Sequence, residues 1–328
     1  MLLREFYTGV VHSEETATQY LLQHGLLVQE NSCRKCDGPV MLTNKKVRGQ
    51  DVPVWRCRRK GCQSVRSVRK GNEFFHYTNM NGRLHCNLKL CEILELVYIW
   101  SIKMPMEEVP RHTGRSTNTV VDWFNYCREV CSEMVSVTRR GKLRGTPDDP
   151  IQIDEARFAG RRKYNRGRLL AGDEPAEENI EDPVQNHRNH GSRIDGPWVF
   201  GLCQGTDVRY FYINKRDAAT LIPIIEREVE AGSTIHSDEW PAYRRLQQAG
   251  YDHKTVNHQK NYVDPNTGAH TQQIERSWLD SKIDILKKKR GVPQHHLQGH
   301  LDEYCWRVSQ GEEDHFLAIL RDIKKVFI

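Results

Sequence analysis

The sequence predicts a mixed α/β fold that is preceded by a metal-binding segment and a helical region. Three observations lead to this expectation. Two cysteine pairs lie near the start of the chain, two amphipathic helical patterns follow them, and short apolar runs alternate with helical patterns in the second half. At 328 residues the chain is long enough for two domains, or for one domain with appendages.

The composition favours a protein that lies inside the cell and has no membrane partner. Hydrophobic residues make up 38% of the chain and charged residues 28%. No apolar run approaches the roughly 18 residues of a membrane span, and the first ten residues lack the apolar core of a signal peptide. Ten cysteines in such a chain favour a reducing compartment over disulfides.

A short helix from Ser13 to His24 is predicted within an N-terminal segment, 1–30. Ser13 is a suitable N-cap, two glutamates follow it in the first turn, and Gly25 ends the pattern. We interpret this helix as a packing element.

Four cysteines have the spacing of metal ligands. Cys33 and Cys36 are separated by two residues, and after twenty more residues Cys57 and Cys62 are separated by four. Two such pairs can hold one tetrahedral Zn²⁺, and the polar linker between them suits the hairpin of a zinc ribbon at 31–70. The alternative is four unliganded thiols. It is disfavoured because so polar a segment can hardly bury a core without metal.

Positive charge is concentrated in this predicted ribbon. Residues 31–70 hold twelve Lys or Arg against two acids, in a chain whose net charge is +6. Such an excess is typical of a segment that binds a polyanion, so we expect DNA phosphates as its partner rather than a role in solubility alone. The candidate DNA contacts are Arg56, Arg58, Arg59 and Lys60.

Two amphipathic helices, joined by a short helix and a glycine turn, are predicted over 85–138. The first extends from Asn87 to Lys103, and Ser116 caps the second. This order resembles a helix-turn-helix that binds DNA, although a plain three-helix packing unit gives the same pattern. The candidate DNA contacts are Arg111, Arg115, Ser116 and Asn118.

A basic linker, 139–150, separates this region from the second half of the chain. It is rich in glycine and proline breakers, which makes it the best domain boundary in the sequence. Arg140 and Lys142 are candidate DNA contacts in the linker.

The second half, 151–310, is predicted to form an RNase H-like domain with an insertion at 160–197, followed by a C-terminal tail at 311–328. Antiparallel strands followed by alternating helices and strands fit this fold. The predicted elements are a strand to Asp154, strands 198–203 and 208–213, a helix 218–230, a strand ending at Asp238, a helix from Ala242, a strand near 254–256, a helix carrying Glu275 and a closing helix 294–307.

Three acids stand where an α/β sheet binds its ligands. Asp154 and Asp238 each end a short apolar run, and Glu275 lies in the first turn of a helix that follows the turn at 264–268. Such carboxylates can converge in the crevice at the carboxyl ends of the strands. Because packing like charges together costs free energy, we expect divalent cations there, and hard oxygen ligands suit Mg²⁺ or Mn²⁺.

These acids, with 36 residues between the second and the third, give the chain a resemblance to DDE transposases of the Merlin superfamily and their bacterial insertion-sequence relatives. The resemblance covers nearly everything from Cys33 to Arg307. Some bacterial relatives carry Asn at the third position, so Glu275 favours the eukaryotic branch. The blocks that carry the resemblance are DEARFAGRRKYNRGR at 154–168, WVFG at 198–201, SDEWPAY at 237–243 and VDPNTGAHTQQIERSW at 263–278.

The resemblance implies cut-and-paste DNA transposition by an RNase H-like catalytic domain. Asp154, Asp238 and Glu275 would hold two Mg²⁺ or Mn²⁺ ions, which assist cleavage at terminal inverted repeats and joining of the 3′ ends to target DNA. The partners would be double-stranded repeat and target DNA and a second subunit, in a homodimer or higher homo-oligomer. The location would be the nucleus in a eukaryote, or the cytoplasm and nucleoid in a bacterium.

Two other functions remain as alternatives. One is a domesticated, zinc-dependent DNA-binding regulator without catalysis, and the other is an RNase H-like structure-specific nuclease that cuts without joining.

Further candidate DNA contacts lie close to the acids in sequence. Trp278 either packs in the core or stacks on an unpaired base. Lys282 lies about two helical turns after Glu275 and either grips a phosphate or is solvated. An acidic stretch at 173–182 has no assigned role. The basic residues that follow the first acid are Arg161, Arg162, Lys163, Arg166 and Arg168.

Overall fold

The computed structural model describes residues 1–47, 49–76, 87–139, 141–160, 168–175, 194–258 and 260–328. The chain divides into two compact units, Met1–Met134 with Glu312–Ile328, and Val135–Gly311. None of the described helices combines the length and the apolar character that crossing a membrane requires.

The first unit begins with short helices. Helix α1 (Leu3–Glu5) continues into a π-helical turn (Phe6–Val10), and α2 spans Glu14–Gln23. The predicted N-cap of α2 is present, because the Ser13 hydroxyl accepts a hydrogen bond from the Thr16 N–H at 3.1 Å.

A three-stranded antiparallel sheet follows in the predicted ribbon. Strands β1 (Val40–Val47) and β2 (Gln50–Cys57) form a hairpin, and β3 (Val65–Ser67) pairs with β2. Cys57 ends β2 opposite Val40, so the hairpin returns the second cysteine pair towards the first.

The helical part of the first unit contains α3 (Leu90–Ser101), α4 (Val109–Thr113) and α5 (Thr117–Thr138). Gly114 ends α4 with a φ of 67°, and the Ser116 hydroxyl accepts a hydrogen bond from the Thr119 N–H at 3.2 Å, as predicted for the cap of α5.

The segment predicted as a C-terminal tail contains a helix. Helix α9 spans His315–Phe327 and buries Phe316, Ile319 and Ile323 within the first unit. The Phe316 ring packs edge-on against Tyr98, with ring centroids 5.3 Å apart.

The second unit contains seven strands among its described residues, namely β4 (Ile151–Arg157), β5 (Glu174–Pro175), β6 (Ile194–Asp195), β7 (Trp198–Gln204), β8 (Asp207–Ile213), β9 (Thr234–Asp238) and β10 (Asp252–Val256). Five of them form a mixed sheet in the order β10-β9-β4-β7-β8, and β5 with β6 forms a separate two-stranded ladder. Strands β4, β9 and β10 are parallel, and β7 runs antiparallel to both β4 and β8. The predicted mixed α/β fold is therefore confirmed.

Helices cover this sheet. The helix predicted from Ala242 is only a 3-10 helix of five residues, Pro241–Arg245, and the main chain beyond it forms turns. The other helical elements are α6 (Ala218–Glu228), α7 (Gln272–Lys282), a π-helical segment (Ile283–Lys288) and α8 (Gln294–Ser309).

The two faces of the sheet bury different side chains. One face contributes Ile151, Ile153 and Ile235 to an apolar core that also contains residues of α6. On the other face, Trp278 of α7 stacks on Tyr210 of β8 at 4.2 Å between ring centroids. The close approach of this indole requires glycine on β7, because a Cβ on Gly201 would lie 2.6 Å from Trp278 Cζ2.

Candidate active site and cysteine cluster

Two of the predicted acids lie on neighbouring parallel strands. Asp238 is the last residue of β9, whereas Asp154 lies in the middle of β4, because pairing with β7 continues that strand to Arg157 and not only to Asp154 as predicted. The ladder between β4 and β9 pairs Gln152 with His236, and Asp154 and Asp238 each follow two residues later. Residues two apart on a strand point to the same face, so both carboxylates belong to the face that α7 covers. Asp238 thus lies at the carboxyl end of its strand, which is the position where open α/β sheets bind ligands.

The Asp154 carboxylate is held by two N–H donors. The indole Nε1 of Trp278 donates to Oδ2 at 3.0 Å, and the Glu155 N–H donates to Oδ1 at 2.8 Å. Burial, together with the neighbouring charges of Glu155 and Asp238, nevertheless raises the pKa of Asp154 to about 7. A carboxyl group whose ionised form is disfavoured in this way is suited to binding a cation.

The Asp238 carboxylate closes a turn at the end of β9. Its Oδ1 accepts a hydrogen bond from the Trp240 N–H at 3.0 Å. Trp240 in turn donates from Nε1 to the main-chain oxygen of Arg216 at 3.1 Å. The aspartate is thereby held at the end of the strand, with one carboxylate oxygen committed to the turn.

Glu275 lies in the first turn of α7, as predicted, but its side chain makes local contacts. The Thr271 hydroxyl donates to Glu275 Oε1 at 2.8 Å, and His258 Nε2 lies 3.4 Å from the same oxygen. The Glu275 side chain is 49% exposed, so it is free of the core packing that fixes Trp278 one turn later.

The three carboxylates do not form a closed ligand cluster in this structure. Among the described residues, the only group of three or more potential ligands with all donor atoms within 4.8 Å of one another is the cysteine quartet. The structure thus places Asp154 and Asp238 on one face of adjacent strands and sets the helix carrying Glu275 on the same face, whereas the Glu275 carboxylate itself is bound to Thr271.

A buried glutamate next to Asp154 was not singled out from the sequence. Glu155 points to the opposite face, where it accepts hydrogen bonds from Arg216 Nη2 at 3.0 Å and from the Tyr243 hydroxyl. Burial raises the pKa of Glu155, and both partners oppose that rise. The Arg216 guanidinium lies between Trp198 and Trp240, at 4.2 and 4.3 Å from the ring centroids. The adjacent acids at 154 and 155, directly after the run Ile151-Gln152-Ile153, were the available signal.

The four predicted zinc ligands come together in the first unit. The Sγ atoms of Cys33, Cys36, Cys57 and Cys62 all lie within 4.8 Å of one another. Cys33 Sγ is 3.8 Å from Cys62 Sγ, and Cys36 Sγ is 3.5 Å from Cys57 Sγ. A tetrahedral Zn²⁺ with Zn–S bonds of about 2.3 Å sets its sulfurs about 3.8 Å apart, so this donor set fits zinc.

Hydrogen bonds favour the thiolate form of Cys33 and Cys62. At Cys57 the Arg59 N–H acts in the same direction, but burial and the neighbouring sulfurs outweigh it and raise the pKa of that thiol to about 12. Ser64 Oγ lies 2.9 Å from Cys33 Sγ, and the Lys35 N–H donates to the same sulfur at 3.4 Å. These contacts lower the pKa of Cys33 to about 6, and the same serine lowers the pKa of Cys62. Because only the thiolate binds zinc, Cys33 and Cys62 are the members of the cluster whose hydrogen bonds favour metal binding.

The candidate DNA contacts of the ribbon lie on its surface. The residues from 56 to 60 are exposed except Cys57. Beside the cysteines, Lys35, Arg59 and Lys60 line an open cleft of about 420 Å³. The Arg59 guanidinium donates to the Cys36 main-chain oxygen at 2.9 Å, which ties one of these cations to the metal-ligand loop.

The helical candidates are exposed to different degrees. Arg111, Ser116 and Asn118 are exposed, whereas Arg115 is partly buried and pairs with Glu92 at 2.9 Å. Ser116 caps α5, so its hydroxyl already has a structural role.

Candidates close to the acids have more varied surroundings. Trp278 is 5% exposed and packs in the core, so packing rather than base stacking describes this side chain. Lys282 is partly buried, with its Nζ 5.7 Å from the Phe158 ring centroid. Lys142 donates to the Glu226 main-chain oxygen at 2.7 Å, and Arg168 is exposed. Outside the described residues lie Arg140, Arg161, Arg162, Lys163 and Arg166.

Residues 143–309 match the ISXO2-like transposase domain, which covers half of the chain. The chain belongs to this family. The matched residues fall within the second unit, include all three acids and end with the last residue of α8. Family membership supports the expected transposase, and the assignment to the Merlin branch stays a prediction.

Individual relatives agree with the family. An uncharacterized transposase-like protein of Haemophilus influenzae is 28% identical over 108 residues, which are 33% of this chain and 85% of the relative. The mariner Mos1 paired end complex with Mg gives a TM-score of 0.30 at 11% identity, covering 71% of this chain and 75% of the other. The Mos1 strand transfer complex gives 0.21 at 11% identity, covering 72% and 79%. TM-scores this low do not establish a shared fold with the Mos1 structures.

Proposed function

We propose that this protein is a cut-and-paste DNA transposase of the Merlin type, with an RNase H-like catalytic domain. It binds terminal inverted repeats, cleaves the DNA at the element ends and joins the 3′ ends to target DNA. The single observation that carries this proposal is the juxtaposition of Asp154 and Asp238 on one face of neighbouring parallel strands, under the helix that bears Glu275. Membership of the transposase family supports it.

The sheet order supports the RNase H-like assignment. An antiparallel hairpin of β7 and β8 flanks β4 on one side, and the parallel strands β9 and β10 flank it on the other. Asp154 occupies the central strand, and Asp238 ends the next strand. This arrangement agrees with the order of strands and helices that the sequence predicts for such a domain.

Each acid has a distinct part in the proposed site. Asp154 and Asp238 would be the metal ligands supplied by the sheet, and Glu275 would complete the set once its carboxylate is released from Thr271. Bound Mg²⁺ or Mn²⁺ ions would supply Lewis-acid assistance to an in-line displacement at phosphorus. Trp278 keeps the Asp154 carboxylate oriented through its indole N–H. No covalent enzyme intermediate is required of these residues.

The cysteine cluster has a structural part in this proposal. One Zn²⁺ on Cys33, Cys36, Cys57 and Cys62 would fix the ribbon, whose exposed cations then face the DNA backbone. The exposed residues at the start of α5 are the second proposed DNA contact. We propose a homodimer or higher homo-oligomer because two element ends are processed together. The proposed location is the nucleus in a eukaryotic source and the cytoplasm or nucleoid in a bacterial one.

Incubating the purified, zinc-loaded protein with Mn²⁺ and a labelled duplex that ends in the element's inverted repeat tests the proposal. Cleavage followed by joining to a second duplex is expected. The variants Asp154→Asn, Asp238→Asn and Glu275→Gln should each lose cleavage and keep DNA binding. Cleavage without joining would indicate a nuclease, and binding without cleavage would indicate a regulator; either result would refute cut-and-paste transposition.

A further inference from the structure

The N-terminus of α7 lacks the cap that its own sequence offers. Thr271 occupies the N-cap position but makes no side-chain hydrogen bond to the backbone of the first turn. Its hydroxyl donates instead to Glu275 Oε1 at 2.8 Å. The first N–H groups of a helix have no partner within the helix, so a buried helix start needs another acceptor.

Strand β4 supplies that acceptor. Gln152 Oε1 accepts hydrogen bonds from the N–H groups of Gln273 and Ile274, at 2.9 and 3.1 Å. The Gln152 side chain is 2% exposed, and its Nε2 lies 3.1 Å from His270 Nδ1 in the segment leading into α7. Both ends of one buried carboxamide are therefore used to hold the start of the helix that carries Glu275.

Strand β9 holds the same segment from the neighbouring position. His236 Nδ1 accepts a hydrogen bond from the His270 N–H at 3.3 Å, and the His236 side chain is 4% exposed. Gln152 and His236 are directly paired in the parallel ladder. Gln152 and His236 therefore contact the segment that leads into α7 from paired positions on two adjacent strands.

The sequence spacing links these two side chains to the proposed metal ligands. Gln152 precedes Asp154 by two residues, and His236 precedes Asp238 by two residues, so each pair lies on one face of its strand. Each strand therefore carries first a side chain that fixes α7 and then an acid. A displacement of the start of α7 changes where Glu275 lies relative to both acids.

We propose that Gln152 is a positioning residue that, with His236, sets the placement of Glu275 against Asp154 and Asp238. This inference rests on the proposed function, because it assigns a role within the three-acid site. Gln152 does not touch metal or substrate itself. It acts through the backbone of the first turn of α7, as outer-shell partners orient metal ligands elsewhere.

Hydrogen exchange tests the capping contact directly. Gln152→Met keeps the length of the side chain and removes all three hydrogen bonds of the carboxamide. Amide hydrogen exchange in the first turn of α7 should therefore rise by roughly 2- to 30-fold, the range for loss of an N-cap. Gln152→Glu keeps the acceptor oxygens and should retain the protection. The matched control is Gln298→Met, because Gln298 also joins a helix to the sheet, accepting from the Tyr212 N–H at 2.8 Å and donating to Tyr210 O at 3.0 Å.

Mn²⁺ affinity separates positioning from mere stability. We expect Gln152→Met to weaken Mn²⁺ binding, followed by the electron paramagnetic resonance of the free ion, by about tenfold. Gln298→Met should leave the affinity at the wild-type value. The double variant Asp154→Asn, Asp238→Asn measures the Mn²⁺ that binds elsewhere on the protein, and this background is subtracted.

The outcomes distinguish the inference from the proposed function. If the wild-type protein cleaves DNA and Gln152→Met keeps both wild-type exchange in α7 and wild-type Mn²⁺ affinity, the positioning role is refuted alone. The same conclusion follows if Gln298→Met weakens Mn²⁺ binding equally. If the affinity shift is found but the wild-type protein cuts no DNA, the proposed function is refuted alone.

Discussion

Replacing Asp154 by Asn should stabilise the protein while it removes catalysis. In the absence of Mg²⁺ and Mn²⁺, burial and the charges of Glu155 and Asp238 raise the pKa of Asp154 from 3.8 to about 7. The folded protein therefore binds this proton more tightly than the unfolded chain does. The free energy of unfolding falls as pH rises from about 4 to about 7, and the full penalty is present above pH 7.

The size of the effect follows from the pKa shift. A difference of about 3 units corresponds to about 4 kcal/mol, at about 1.4 kcal/mol per unit, which is an upper bound. Asn keeps one acceptor oxygen for the two N–H donors, from Trp278 and Glu155, so one hydrogen bond worth about 1 kcal/mol or more is lost. We therefore expect a net gain of about 1 to 3 kcal/mol at pH 8.

Urea unfolding followed by circular dichroism measures this gain at pH 8 and at pH 4.5. Magnesium and manganese are omitted without a chelator, because a chelator would also strip zinc from the cysteine cluster. The control is Asp252→Asn on β10, where an exposed carboxylate pairs with Lys254 at 3.5 Å, so a change within about 1 kcal/mol is expected. The reasoning is refuted if Asp154→Asn is no more stable than wild type at pH 8, or if its advantage persists unchanged at pH 4.5.

Three further changes test the zinc cluster, the indole contact and the packing of α7. Ser64→Ala removes the hydroxyl beside Cys33 Sγ, so we expect a chelator to remove the zinc at about tenfold lower chelator concentration. The measurement is bound zinc per chain, and unchanged retention of zinc would contradict the role of this serine. Trp278→Phe removes the N–H donor of Asp154 and should raise the pKa of that carboxyl further. Mn²⁺ affinity should therefore fall at pH 7 and recover at pH 8.5, whereas a loss of affinity that is independent of pH would indicate a packing defect. Gly201→Ala places a Cβ 2.6 Å from the Trp278 ring and should lower the free energy of unfolding by about 1 to 3 kcal/mol, as urea unfolding would show; a neutral result would mean that the indole can shift freely.

Local signals in the sequence predicted much of the architecture. The strands that carry Asp154 and Asp238 and the caps Ser13 and Ser116 are present, because alternating apolar residues and N-cap side chains act over a few residues. The cysteine quartet was equally predictable, since metal-ligand spacing is a local pattern.

Contacts between distant residues were not predictable in the same way. Gln152 resembles any polar residue in a strand until the fold sets it under a helix start 121 residues later in the chain. Helix α9 was predicted as a tail because its apolar face has meaning only against residues such as Tyr98. The helix predicted from Ala242 is shorter because tertiary packing of Tyr243 and Leu246 into the core decides that segment.

The placement of Glu275 shows the same limit at the site. Helical periodicity correctly assigned it to the first turn of α7, but no pattern in the sequence indicates that Thr271 and His258 hold its carboxylate. The chemistry of the three acids stays a prediction, and their mutual distances depend on the packing of α7 against the sheet.

Anomalous diffraction from Mn²⁺, in crystals of the protein with a repeat-ended duplex, tests the central claim most directly. The account predicts manganese bound by Asp154 and Asp238, with the Glu275 carboxylate moved from Thr271 to complete the ligand set. Manganese bound elsewhere, or Glu275 still on Thr271 with the ion in place, would contradict a three-acid catalytic site.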